Sequence, residues 1–164
     1  MTNDTQRLEH AKWVFERTLG WIATADVKVG AAVAIDTVLV GGLVAAFAAS
    51  ASGARTGWVL LSIVTSLAAL AVAIYCAALA AIPRMLGPVK SMIFFARIAE
   101  YQEPDYVSQF LKVTERAFLE DLITQIHRNA EIATLKHTWV RKSLTWSFLA
   151  AIPWLSAVIL LAKA

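Results

Sequence analysis

Three stretches of this chain are too long and too apolar to remain in water. Residues 29–51, 58–82 and 144–162 carry a single charged side chain between them, Asp36 in the first. Each holds about 20 residues, and a helix rising 1.5 Å per residue then crosses a hydrocarbon core of about 30 Å. Inside a bilayer the backbone has no water to bond, so each stretch predicts a helix. Hydrophobic residues make up 59% of the chain and charged residues 16%. A soluble domain is about half apolar and about a quarter charged, so this excess is too large for an ordinary core.

Apart from Arg55 and Lys163, the charges that remain are collected in residues 1–28 and 83–142. Four segments follow: 1–28, an amphipathic helix; 29–82, a transmembrane hairpin; 83–142, a helical region; and 143–164, the third span. The fold class is all-α and integral to a membrane, with three transmembrane helices. Within 1–28, Leu8, Ala11, Val14, Phe15, Leu19 and Ile22 fall at helical spacing. Asp4 or Thr5 is placed to cap the start. The small, polar run SASGARTG at 50–57 predicts the hairpin turn.

Pro83 ends the second helix, and a short helix is expected around Lys90 to Tyr101. Pro104 and Asp105 suit the start of a new one. Beyond them no Gly or Pro occurs as far as Lys142, which predicts one long amphipathic helix. Its apolar stripe is Val107, Leu111, Phe118, Leu122, Ile126, Ala133 and Val140, opposite Lys112, Glu115, Arg116, Glu120, Arg128 and Glu131. Pro153 in the third span is tolerable in a membrane helix and predicts a kink.

Lys28, Arg84, Lys90, Arg141 and Lys142 flank the spans on one side, and Arg55 and Lys163 on the other. That asymmetry predicts a multi-pass membrane protein with the N-terminus and 83–142 cytoplasmic. The net charge of +3 has the same origin and calls for no nucleic-acid partner. A cleaved signal peptide ending near 48–51 is disfavoured by the long amphipathic segment before it and by Asp36 within it. Cys76 is the sole cysteine, so neither an internal disulfide nor a multi-cysteine zinc site is expected.

Asp36 is the sharpest single feature. A carboxylate roughly 10 Å into a span must face other helices, be protonated or meet water. Tyr75 and Ser147 stand at matching depth on the other two spans. Asp36 and Tyr75 therefore read as polar elements that line a pore or sense a rearrangement, or as an inter-helix bond that fixes packing. Gly30, Ala34, Gly41, Gly42 and Ala45, with Ser62 and Ser66, allow close helix approach. Arg84, Lys90, Arg97, Arg128, Lys136, Arg141 and Lys142 make the inner side basic, which suits anionic lipid or an anion site such as one for a nucleotide phosphate. His10, His127 and His137 do not form a metal set, and no nucleophile elbow, phosphate-cradling glycine loop or HExxH occurs. No catalytic residue, metal or cofactor is expected.

Three longer patterns go further. RLEHAKWVFERTLGWIATADVKVGAAVAIDT resembles the entry to the first span in the Pycsar effector transmembrane family, where an Asp-x-Lys, here Asp26 and Lys28, precedes a small-residue-rich helix. SMIFFARIAEYQEPDYVSQFL is similar to that family's aromatic-rich segment. LEDLITQIHRNAEIATLKHTWVRKSLTWSFL resembles its closing pattern, matched by Asp121, Gln125 and Lys136. The resemblance covers roughly residues 7–160. It implies an effector of bacterial antiphage defence that responds to a cyclic pyrimidine mononucleotide, cCMP or cUMP, by disrupting the inner membrane. Arg97, Gln125, Arg128 and Lys136 are the expected ligand-binding residues. Asp36 departs from the uncharged residue that many relatives carry there. Three spans are too few to enclose a pore, so a homo-oligomer in the lipid bilayer is expected. The alternative is a non-catalytic scaffold that docks a partner through its cytoplasmic helices.

Overall fold

The computed structural model describes residues 2–84, 87–88 and 91–162, except the side chains of residues 2–4 and 54. The described residues are helical, with no strand among them. In order they form α1 (Thr2–Ala49), a 3-10 turn at Ser52–Ala54, α2 (Gly57–Ala81), α3 (Phe95–Ile98), α4 (Glu103–Lys112) and α5 (Glu115–Ala162). Three of these, α1, α2 and α5, are long and apolar enough to cross a membrane. The protein is an all-α membrane protein.

The expected segment 1–28 and the first span are one helix. α1 runs 48 residues, about 72 Å, well beyond a bilayer core. It already begins at Thr2, so Thr5 lies inside it rather than at its cap. The buried positions of α1 recur at sevens: Ala11, Thr18, Ala25 and Ala32 form one row, and Val29, Asp36 and Leu43 the other. That is the two-row seam of a coiled coil. Leu19, read as part of the apolar face, is exposed, and Thr18 takes the buried place beside it.

The chain divides into two compact units. One consists of residues 25–82 and 136–164 and holds the apolar bundle. Ala25 and Val29 of α1, Ala77 and Ala80 of α2, and Val140 of α5 cluster at one end of it. Val59 and Leu161 cluster at the other, with Phe47 against them. The hairpin turn is tied by Arg55, whose Nη2 donates to the carbonyls of Phe47 and Ser50, each at 3.3 Å. Its guanidinium also lies 4.3 Å from the Phe47 ring centroid, so one side chain satisfies free carbonyls at the end of α1 and packs on it. Trp154, next to Pro153, donates from Nε1 to the Leu39 carbonyl at 2.7 Å. Gly42 leaves room for that indole: a Cβ there would stand 3.1 Å from it. Of the small residues expected to bring helices together, Gly42 and the buried Ser66 stand at such contacts, whereas Gly30 and Gly41 have nothing within 4 Å of an added Cβ.

The other unit consists of residues 1–24 and 83–135. The helix expected around Lys90 shrinks to α3, and Lys90 itself lies outside the described residues, as does Lys163. Ser91 folds the chain instead, its Oγ accepting the Ile93 and Phe94 N–H groups at 3.2 and 3.0 Å. A second correction concerns the long helix predicted from residue 105 onward. It is broken at Val113 and Thr114, where Val113 is extended (φ −66°, ψ 135°). The Thr114 hydroxyl accepts the Ala117 N–H at 3.3 Å, an N-cap that starts α5 with Glu115 in its first turn. Without Gly or Pro, this break left no strong mark in the sequence. Because of it, Val107 and Leu111 are exposed rather than continuing the α5 stripe.

Trp154→Phe removes the bond to Leu39 and the indole atoms that fill the space at Gly42. It should cost about 2 kcal/mol, a lost hydrogen bond plus a small cavity, read as a lower melting temperature in detergent. An unchanged melt would mean that the indole N–H contributes nothing to holding α5 on α1.

Candidate functional site

Buried polar side chains, rather than a cavity lined with catalytic groups, distinguish the interior of this chain. In the bundle unit they follow α5: Lys136, Ser143 and Ser147 are buried alongside Val140, Ala150, Ala157 and Leu161. Lys136 is 7% exposed at its side chain and forms an ion pair with Asp26, which is 50% exposed. Two residues 110 positions apart therefore close the end of the bundle at which the Ala25 cluster sits. Further along, Ser66 of α2 donates to the Ala150 carbonyl at 3.3 Å.

Asp36 is 0% exposed, and neither of its carboxylate oxygens has a hydrogen-bond partner. The Ser147 hydroxyl neighbours it, but donates to the Ser143 carbonyl at 3.0 Å. The Ser143 hydroxyl is likewise buried and unpartnered. An unpaired buried polar group costs about 1–3 kcal/mol, and an ionised one more. Tyr75 does not relieve it: it is 63% exposed on α2.

The other unit has a weaker interior. Its buried apolar residues, Ala11, Phe94, Leu122 and Ala133, are matched one for one by Thr18, Ser91, Gln125 and Asn129. Thr18 bonds its own helix at the Phe15 carbonyl, 2.7 Å away. Asp121 Oδ2 accepts the Met92 N–H at 2.7 Å while the Tyr106 hydroxyl donates to the Met92 carbonyl at 2.9 Å, so residues 91–94 are held from both sides. Among the described residues of this unit, four buried polar atoms have no partner: Arg84 Nη1, Asp121 Oδ1, Gln125 Oε1 and Asn129 Nδ2. The last three stand at i, i+4 and i+8 on α5, one above another on consecutive turns.

Residues 10–163 match the family model of the Pycsar effector protein domain. The chain belongs to the Pycsar effector family. No curated protein and no solved structure matches it. It is thus a membrane protein of a cyclic-nucleotide antiphage defence system, and its candidate residues can be placed in that light.

Of the four expected ligand residues in this Pycsar effector, Gln125 and Arg128 share a face of α5 and Gln125 is buried. Arg128 Nη1 meets Glu131 at 2.8 Å, and His127 Nδ1 lies 3.7 Å from the same carboxylate. The hydrogen bond from Arg128 is the main reason that the Glu131 carboxyl titrates below its ordinary range. The link is present at neutral pH and is lost only as pH falls through that lowered value. Two shallow grooves, about 570 and 310 Å³, flank His127, Arg128 and Glu131. Arg97 Nη1 donates to both carboxylate oxygens of Glu100, each at 2.8 Å. Lys136 is committed to Asp26. Among the family-pattern residues, Asp26 is that partner, Asp121 holds Met92, and Lys28 is exposed beside a groove of about 290 Å³ with His137 and Arg141. Thr18, Asn129 and Ser143 were missed by sequence reading, which sought apolar stripes; the seven-residue spacing from Ala11 through Thr18 to Ala25 was the available signal for the first.

Asp26→Ala strands the buried Lys136 ammonium. With Asp26 half-exposed, the expected loss is about 2 kcal/mol in detergent melts, below the value for a fully buried pair. Exchanging the two, Asp26→Lys with Lys136→Asp, should recover part of it. A double variant no better than the sum of its parts would show that the pair does not couple.

Proposed function

We propose that this Pycsar effector lies in the inner membrane with its N-terminus and residues 83–142 in the cytoplasm, binds cCMP or cUMP there, and permeabilises the membrane as a homo-oligomer. It does so without catalysis or a cofactor. The observation that carries the reading is a single helix, α5, that holds unfilled polar atoms in its first part and a membrane span in its last. A ligand that fits one arrangement of α5 better than another shifts the population of span arrangements, by no more than its difference in affinity for the two. Once the spans part, water reaches Asp36 and solvates its carboxylate, so the bundle contains a group that favours the open form. Lipid-facing Gly30, Ala34 and Gly41, uncovered in a single chain, suit the close helix contacts an oligomer needs.

A second reading has one observation in its favour. Val107, Phe110 and Leu111 are exposed on α4, as on a scaffold that docks a partner protein. Dye-loaded liposomes carrying the purified protein separate the two. Release on adding cCMP or cUMP is expected of the effector; silence with both, at confirmed incorporation, favours the scaffold. Asp36→Asn should keep the assembled mass and change the amount of dye released. Identical release would reduce Asp36 to a packing residue.

A further inference from the structure

The proposed function leaves open where the nucleotide binds. We infer that the strip Asp121, Gln125 and Asn129 on α5, with Arg128 on the same face, is a nucleotide site that reads a base carrying an exocyclic amino group, and so takes cCMP in preference to cUMP. This rests on the effector reading above.

Gln125 and Asn129 are 6% and 5% exposed, and each has an unpartnered atom, as does Asp121. Buried polar atoms are nearly always partnered in a finished interior, so three in a row on one face call for a group from outside the chain. The burial rhythm of α5 breaks at the same place. Buried positions alternate by three and four along most of the helix, but Gln125, Asn129 and Ala133 follow one another by fours. Such a step locally unwinds a coiled-coil seam, so the strip lies where the regular packing of α5 is interrupted. From Asp121 to Asn129 is eight residues, about 12 Å, the length of a nucleotide rather than of a base alone.

The chemistry of the unfilled atoms is directional. Asp121 Oδ1 and Gln125 Oε1 are acceptors on adjacent turns. An amino group on cytosine has two N–H bonds and can give one to each; the pairing edge of uracil has one. Asn129 Nδ2 is a donor, suited to a ring nitrogen or carbonyl of the same base. The Arg128 guanidinium stands at the Asn129 end, away from the Asp121 carboxylate, where it can meet the cyclic phosphate by exchanging part of its contact with Glu131.

The test is binding of cCMP and cUMP to the full chain in nanodiscs, with dye release from liposomes read alongside. The wild type should bind cCMP about tenfold or more tightly than cUMP, roughly one buried hydrogen bond. The double variant Gln125→Leu, Asn129→Leu should melt no lower than wild type, since it removes orphaned atoms, yet lose cCMP binding at least tenfold. Should it fail to fold, Asn129→Asp keeps the shape, turns the donor into an acceptor, and should lose binding to the same degree. A wild type that neither binds nor leaks with either nucleotide overturns the effector reading and this site with it. A wild type that responds, paired with variants that respond equally, overturns the site alone. So does a wild type that binds cUMP as well as or better than cCMP.

Discussion

A polar group carried into hydrocarbon must find its partner within the protein, and the organisation of this chain follows from how it meets or evades that requirement. The backbone meets it by forming helices. Ser66 meets it at the Ala150 carbonyl and Trp154 at the Leu39 carbonyl. Asp36 and Ser143 do not meet it. The bundle therefore combines a closed end, a pinned hairpin and a middle whose polar atoms are left without partners.

The two units differ in what fills them. The bundle unit is packed with Val, Leu and Ala at regular seven-residue spacing. Among its described residues the other has as many polar as apolar buried ones, and it relies on local clamps such as Asp121 on Met92. Interiors of that kind lie at the low-stability end of a protein, where segments that respond to ligands are found. A defence effector needs to be silent until a signal arrives, and the tight bundle and the loosely satisfied second unit suit the sensing role proposed above.

Much of this was legible in the sequence, for a physical reason. Membrane spans are marked by length and hydropathy alone, so α2, expected at 58–82, is found at Gly57–Ala81, and the turn at 50–57 is where it was expected. Asp36 stood out because a charge in hydrocarbon is rare. Contacts made across the sequence were not visible. Lys136 looked like one more basic residue facing an anion, and its partner lies 110 residues away. The break at Val113 has no Gly or Pro, and a threonine cap acting through one hydroxyl is a weaker mark. Asn129 and Ser143 sit where an apolar-stripe reading expects hydrophobes.

Opening of the bundle by the signal is the central claim, and the chain carries its own reporter. Cys76 is the sole cysteine and is buried in α2 beside Ala77 and Ala80 of the cluster. A water-soluble maleimide reacts with a thiol only where water reaches it. In nanodiscs, Cys76 should be protected at rest and labelled when cCMP or cUMP is added. Protection that is unaltered by either nucleotide, in a preparation whose liposomes leak under the same conditions, would contradict the account.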